Sequence, residues 1–314
     1  MRMVCAVTGG SGFIGSHVVD YLMAAGHEVI VIDRGVKPHR QDVAFRDVDI
    51  LDAAALQEAT SQCDFIFHLA AVSNVNVAFE HPLRCVALNI QGTANVLEAA
   101  RQNKARRVVL ASTVWVYSGA RDNNVHEDSP FFMPGAGHVY TSSKIAAELL
   151  CHDYWLLYQV PSTILRYGIP YGPRMRDTLV IPIFLKKALA GQPLTIAGDG
   201  SQFRNFVYVE DLARAHVLAM EDVAISQTYN LEGMRKVTVR EVAETIKLLM
   251  DGQVQIVYTP ARPGDYVGKE VSAEKARREL DWEPAVDFEE GMRRTIEWLR
   301  ENQARHASPI PVSR

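Results

Sequence analysis

Short apolar runs punctuate the N-terminal part of the chain, and between them apolar residues recur every three or four positions. The runs that begin at Val4 and cover 28–32, 65–69, 107–111 and 162–166 have strand length and are rich in Val, Ile and Phe. They predict buried β-strands. The stretches 16–25, 92–102 and 141–158 carry helical periodicity instead. Strands alternating with helices call for crossover connections between parallel strands, so the expected architecture is α/β with a doubly wound parallel sheet. After Arg166 the pattern breaks into Tyr167-Gly-Ile-Pro-Tyr-Gly-Pro-Arg174. Its Gly and Pro residues end the alternation and mark entry to a smaller second lobe, also α/β. No internal repeat or low-complexity tract is present.

Composition refines this picture only slightly. With 314 residues, 48% of them hydrophobic, the chain is long enough for two lobes and a large core. A net charge of −4 gives no basic footprint, so neither nucleic acid nor an anionic membrane is an expected partner. Cys5, Cys63, Cys85 and Cys151 are widely spaced with no CxxC pair, which favours reduced buried thiols over disulfides or a metal site. The N-terminal apolar run is short and already used as a strand, and no segment reaches membrane-spanning length. A cytoplasmic location is expected.

Candidate chemistry begins where the first strand ends. Gly9, Gly12 and Gly15 follow Val4-Cys-Ala-Val in GxxGxxG spacing, directly ahead of a helical pattern. Gly9 would permit the tight turn and Gly15 the close packing of helix on strand. Gly12 would let the backbone N–H groups at the helix start, those of Phe13 and Ile14, approach a pyrophosphate. A glycine-rich turn without a ligand is the plainer alternative. Asp33 weighs against it, because an acid at the end of the second strand is placed to receive the adenosine ribose hydroxyls. Its charge repels a 2′-phosphate and favours NAD over NADP, while the neighbouring Arg34 works the other way. Tyr140 and Lys144 then stand one helical turn apart on one face. A phenol of ordinary pKa near 10 is a poor base at neutral pH, and an adjacent ammonium favours the phenolate. Alone, that pair could equally be two solvated helix residues.

With these features together the chain resembles the extended short-chain dehydrogenase/reductase family, in its nucleotide-sugar epimerase/dehydratase branch, from residue 3 to about 300. The resemblance implies a Rossmann-type NAD-binding domain of 1–168 and 206–231, a nucleotide-sugar-binding lobe of 169–205 and 232–302, and a flexible tail of 303–314. It implies ligands at the carboxyl ends of the strands, between the lobes, and a homodimer through the helices at 92–102 and 141–158. Thr113, in Ser112-Thr113-Val-Trp-Val-Tyr117, matches the residue that bonds the sugar hydroxyl and relays its proton. Tyr140 matches the base and Lys144 the residue that orients the nicotinamide ribose. Ser112 is a structural neighbour or shares Thr113's role. The resemblance adds Asp49 and Ile50 at the adenine, and Leu69, Ala70 and Ala71 in the turn after the fourth strand. Asn89 and Tyr167 complete the cofactor side.

On the substrate side, Arg204 in 198–211 and the pair Arg262 and Asp265 match residues that hold the nucleotide, pyrophosphate and ribose. Guanidinium forks suit a diphosphate because each donates two aligned, charge-assisted bonds. Thr195 lies in a stretch that would offer its backbone to a pyrimidine, and Ser73, Ile169 and Val180 fall at further substrate positions. In this family 4,6-dehydratases carry Asp-Glu immediately after the catalytic Thr, and uronate decarboxylases carry Glu two residues after it. Val114 and Trp115 stand there instead, and neither can move the required proton. What remains is epimerisation at C4 with NAD regenerated in each cycle.

There are departures too. Gly168 and Ile169 replace the Phe-Asn of related 4-epimerases, Ser118 replaces a common Gly, and Ser73 stands where galactose epimerases often have Lys. The loop Pro173-Arg174-Met-Arg176-Asp177 resembles the one by which uronate-specific epimerases hold the C6 carboxylate, with Arg176 as its ligand. A solvent-facing loop Arg is the alternative. UDP-glucuronate 4-epimerase is thus the favoured activity. UDP-glucose/UDP-galactose 4-epimerase, a one-way nucleotide-sugar dehydrogenase or ketoreductase, and a non-catalytic NAD-binding regulator are the alternatives, the last disfavoured by the intact Tyr/Lys pair.

Overall fold

The computed structural model describes residues 1–132, 136–250, 253–260 and 269–307, with side chains to Asn302. β1 (Val4–Thr8) passes through the glycine turn into α1 (Phe13–Ala24), followed by β2 (Glu28–Asp33), β3 (Ala44–Asp47), α2 (Ala53–Ala59) and β4 (Phe65–His68). Two short helices, α3 (Val75–Glu80) and α4 (Pro82–Val86), run through a π-helical turn at Ala87–Gln91 into α5 (Gly92–Asn103). Then come β5 (Arg107–Thr113), a 3-10 turn at Val114–Tyr117, β6 (Asn124–Val125), α6 (Val139–Tyr158) and β7 (Ser162–Tyr167). The chain continues with β8 (Ile169–Tyr171), α7 (Val180–Leu189), β9 (Leu194–Ala197), β10 (Phe203–Arg204) and β11 (Phe206–Tyr208). It returns as α8 (Val209–Leu218) and β12 (Thr228–Leu231). The remainder is β13 (Val237–Thr238), α9 (Val239–Leu249), β14 (Ile256–Thr259), β15 (Glu270–Val271), α10 (Glu274–Leu280) and α11 (Phe288–Ala307).

Two compact units result. The first comprises Met1–Gly168, Glu210–Glu232 and Lys269–Glu283, the last a passage that the sequence boundaries assign to the other lobe. Its main sheet has seven strands, all parallel, in the order β12-β7-β5-β4-β1-β2-β3, so the expected doubly wound Rossmann-type sheet is present; β6 and β15 form a separate short parallel ladder. The order reverses between β1 and β4, which makes the carboxyl ends of those strands the topological switch point where such sheets bind ligands. A buried aliphatic layer including Ile66, Val96, Leu97, Val108, Leu110, Ala147 and Ile164 fills the space between the sheet and α5 and α6. Arg107, 3% exposed at the start of β5, donates through Nη1 to Ala219 O and Glu221 O at 2.7 Å each, satisfying carbonyls beyond the end of α8. All four cysteines are free and buried.

The second unit comprises Ile169–Val209, Gly233–Gly268 and Pro284–Arg314. Tyr171, Phe184, Phe206, Tyr208, Phe288 and Met292 form an aromatic-rich core with the apolar faces of α7 and α9. Its strands pair in short two-stranded ladders, β8 with β11 and β9 with β14 in parallel and β10 with β13 antiparallel. Among the described residues, no helix is long and apolar enough to cross a membrane, and no group of three or more His, Cys, Asp or Glu could hold a metal ion.

Candidate active site

The glycine turn admits no side chains. Gly9 has φ +72°, and a Cβ there would fall 2.7 Å from Ala70 N; at Gly15 it would fall 2.2 Å from Gly9 O. Gly9 is therefore packed hard against the loop after β4, and Gly15 against the backbone of the turn itself. Gly12, extended at φ −78° and ψ −179°, is the N-cap of α1, and no side chain caps that helix. The helix starts three residues earlier than the periodicity predicts, so Phe13 and Ile14 occupy its first turn with their N–H groups directed out of its N-terminus. Uncapped donors at a positive helix end, behind a cradle that any Cβ would fill, fit a pyrophosphate. Asp33 closes this region: Oδ2 accepts Ser11 N–H at 3.1 Å and Oδ1 accepts Arg34 N–H at 2.9 Å. Arg34 reaches away to Asp49, Nη1 to Oδ2 at 2.7 Å, and Ile50 is buried beneath Gly92.

The loop carrying Leu69, Ala70 and Ala71 is held by a directed chain that sequence did not reveal. Thr93 Oγ1 donates to Asn89 O at 2.6 Å, so it accepts from His68 Nε2 at 3.1 Å. That tautomer leaves His68 Nδ1 to accept from Thr8 Oγ1 at 2.8 Å, and Thr8 Oγ1 in turn accepts Ala70 N–H at 3.4 Å. Burial pushes the His68 pKa down to about 3, with Lys144 adding to the effect, so the ring stays neutral. Asn89, expected at the cofactor, has its amide committed to protein: Oδ1 accepts Val72 N–H at 2.8 Å, and Nδ2 donates to Val72 O and Ser143 Oγ at 2.9 Å each. It sits in the π-helical turn and ties the post-β4 loop to the start of α6. Ser73 is exposed in the same loop.

Thr113, Tyr140 and Lys144 all lie in the first unit and are 6%, 9% and 5% exposed. Thr113 ends β5, and its Oγ1 accepts Trp115 N–H at 3.2 Å, capping the following turn. Tyr140 and Lys144 occupy the first turns of α6, whose N-cap is His138. Lys144 Nζ donates to Ala111 O at 2.9 Å, fixing the helix to β5 two residues before Thr113. Burial lowers the Lys144 pKa from 10.5 to about 8, partly offset by Glu148. Trp115 packs its ring 5.2 Å from His138, whose ring is 6.1 Å from Tyr140. Tyr167 pairs with Thr113 across β5 and β7 and donates to His216 Nε2 at 2.7 Å, while His216 Nδ1 donates to Leu212 O at 2.8 Å. Ser112 faces away from these groups and is engaged by Glu148, Oγ to Oε1 at 2.5 Å.

Ile169, Arg176, Val180, Thr195 and Arg204 belong to the second unit. Ile169 opens β8, Val180 opens α7, and Arg176 is exposed in the loop before α7. Thr195, exposed on β9, accepts from Lys187 Nζ at 3.0 Å. Arg204 donates from Nη1 to Phe203 O at 2.7 Å. Arg262 and Asp265 lie outside the described residues, as does the end of the tail, 308–314. Lys269 donates to Ala120 O at 2.7 Å and Asp122 O at 3.0 Å, within the first unit.

Residues 5–231 match the family described as NAD dependent epimerase/dehydratase. The chain is 32% identical over 320 residues to the UDP-N-acetyl-alpha-D-glucosaminuronate decarboxylase of Bacillus cytotoxicus, covering 96% of this chain and 99% of that protein. It is 31% identical over 313 residues to the UDP-glucuronate 4-epimerase of Thermodesulfobacterium geofontis, covering 94% and 96%. The structure of UDP-glucose 4-epimerase with UDP-glucose from Thermotoga maritima superposes with a TM-score of 0.88 at 31% identity, covering 96% of this chain and 100% of that one. Relatives at nearly equal identity thus catalyse different reactions, and the choice among them falls to individual side chains.

Proposed function

The chain belongs to the NAD-dependent epimerase/dehydratase family, and from that premise we propose that it is a nucleotide-sugar 4-epimerase acting on UDP-glucuronate. The observation that carries the epimerase reading is the pair after Thr113, Val114 and Trp115, with the Trp115 ring packed on His138. Loss of water or of carbon dioxide from a keto sugar needs a proton donor or acceptor beside the catalytic Thr, and an isopropyl group and an indole supply neither.

The glycine turn, the first turn of α1 and Asp33 would hold the NAD pyrophosphate and adenosine ribose. NAD, when bound there, would supply the hydride acceptor for sugar C4 and the donor for its return to the opposite face. Tyr140 removes the proton of the C4 hydroxyl as that hydride leaves, and gives it back when the hydride returns. Thr113, whose Oγ1 already accepts Trp115 N–H, turns its own hydroxyl proton toward the sugar. Lys144 supports the phenolate from one turn away and aligns the nicotinamide ribose. In the second unit Arg204 serves the diphosphate, and Arg176 gives the C6 carboxylate a bidentate partner. Ile169 in place of an amide supports a sugar other than galactose. Exposed Leu149, Leu156 and Leu157 on α6 support a homodimer through α5 and α6.

The test is incubation with UDP-glucuronate, and separately UDP-glucose, with no reductant added, followed by chromatography and mass spectrometry. The 4-epimer of UDP-glucuronate at unchanged mass is expected. A product lighter by carbon dioxide or by water sinks the epimerase reading, and turnover of UDP-glucose alone sinks the uronate one.

A further inference from the structure

No sequence motif singles out Glu148, yet three elements converge on it behind the catalytic residues. It lies one helical turn beyond Lys144 on α6, with its side chain fully buried. From β5, Ser112 Oγ donates to Oε1 at 2.5 Å. From β7, Arg166 donates through Nε to both carboxylate oxygens at 3.1 Å and through Nη2 to Oε2 at 2.6 Å. Arg166 is anchored in turn: Nη1 donates to Tyr117 OH at 2.5 Å and to Glu127 O at 3.2 Å, and Tyr117 OH donates to Asn230 Oδ1 at 2.9 Å. The rings of Tyr117 and Phe131 lie 5.0 and 5.1 Å from its guanidinium carbon. A buried ion pair is weak support for stability, since apolar replacements of similar volume are often neutral or better. What such a pair fixes is geometry, and here the groups it fixes neighbour the proposed chemistry. Ser112 precedes Thr113, and Glu148 follows Lys144 by one turn.

We propose that Glu148, clamped by Arg166, is a positioning residue: it holds the end of β5 that carries Thr113 against the face of α6 that carries Tyr140 and Lys144, with its carboxylate one helical turn from Lys144. This rests on the proton-transfer roles assigned above. The groups facing Lys144 are Tyr140, Glu148 and Cys151 on its own helix, Cys85 on α4 and His68 on β4, with Ala111 O on β5 and Arg166 on β7 beyond Glu148. Burial keeps His68 neutral and pushes the Cys151 thiol up to about 12. Among these described groups Glu148 is the carboxylate that opposes the desolvation of Lys144. Without it the ammonium loses its proton at lower pH.

Glu148→Gln keeps an acceptor for Ser112 and removes the charge. It is expected to bind NAD as the wild type does, with kcat lower by about tenfold to a hundredfold and KM little changed. The alkaline limb of its kcat profile should move to lower pH. The Tyr140 phenolate, read by ultraviolet difference against the same variant carrying Tyr140→Phe, should titrate at higher pH than in the wild type. That titration needs no sugar, so an enzyme that turns over no nucleotide sugar defeats the functional reading without touching this one. Because Glu148→Gln leaves Arg166 buried without its partner, Glu148→Gln/Arg166→Met provides a second variant free of that strain, with the same displacements expected. Glu148→Asp retains the charge at a shorter reach, and should keep the wild-type pH limbs while losing kcat. Unmoved limbs and an unmoved Tyr140 titration in either folded variant, or equal displacement in Glu148→Asp, would overturn the proposal.

Discussion

Lys144→Met separates what the buried ammonium does for the chemistry from what it costs the fold. Burial is the main cause of the fall in its pKa from 10.5 to about 8, and Glu148 offsets only part of it. At about 1.36 kcal/mol per pH unit, that lowering places the penalty of holding a charged Nζ in the folded state near 3 kcal/mol. Against it stands the 2.9 Å bond to Ala111 O, whose loss would cost about 1–2 kcal/mol. The variant should therefore be more stable than the wild type by about 1–2 kcal/mol at pH 7, while turnover drops about a hundredfold or more. The sign with pH follows from a folded pKa below the unfolded one. The penalty is present in full below pH 8, shrinks as pH rises toward 10.5 and is gone beyond it, where the wild type keeps its hydrogen bond. Urea unfolding of the NAD-free proteins, followed by tryptophan fluorescence at a series of pH values, measures the difference directly. A variant less stable than the wild type at pH 7, or a margin that does not narrow as pH rises, refutes the argument.

Three further outcomes follow from the same geometry. Tyr140→Phe should lower turnover by about two to four orders of magnitude while NAD still binds, checked by steady-state rates and by cofactor content after gel filtration. Asp33→Ala removes the acceptor of the Ser11 and Arg34 amides, and should weaken NAD and narrow its advantage over NADP in paired titrations; a wild type that already prefers NADP would mean that Arg34 outweighs Asp33. Arg176→Ala should cut kcat/KM on UDP-glucuronate by about two to four orders of magnitude, the equivalent of about 3–5 kcal/mol for an unpaired buried carboxylate, and lower it far less on UDP-glucose. Equal losses on both sugars would make Arg176 an ordinary loop residue.

The strands and long helices were legible because period two and period 3.6 leave different marks, and β2, β4, β5 and β7 agree with the predicted runs to within two residues at either end. The placement of Gly9 to Gly15, Asp33, and Tyr140 with Lys144 was legible because their separations are short enough for a motif to encode. What was not legible depends on register. α1 begins at Phe13 because Gly12 caps it without a side chain, and rules built on Ser and Asp caps pass over such a start. Ser112 meets Arg166 across two strands 54 positions apart, and only that pairing brings both onto Glu148. Arg107 satisfies carbonyls 112 and 114 residues away, and His68 is fixed by Thr8 and Thr93 from two other elements. Asn89 was legible as a position, but its orientation into the protein required the π-helical turn.

In the proposed reaction one hydride leaves C4 and returns to C4 without exchange. UDP-glucuronate carrying deuterium at C4, incubated with the enzyme and its bound NAD in ordinary water, measures this in one experiment. The expected product is the 4-epimer with deuterium retained at C4, and no reduced cofactor should accumulate. Deuterium lost to solvent, or found in released NADH with an oxidised or decarboxylated sugar, would contradict that reaction.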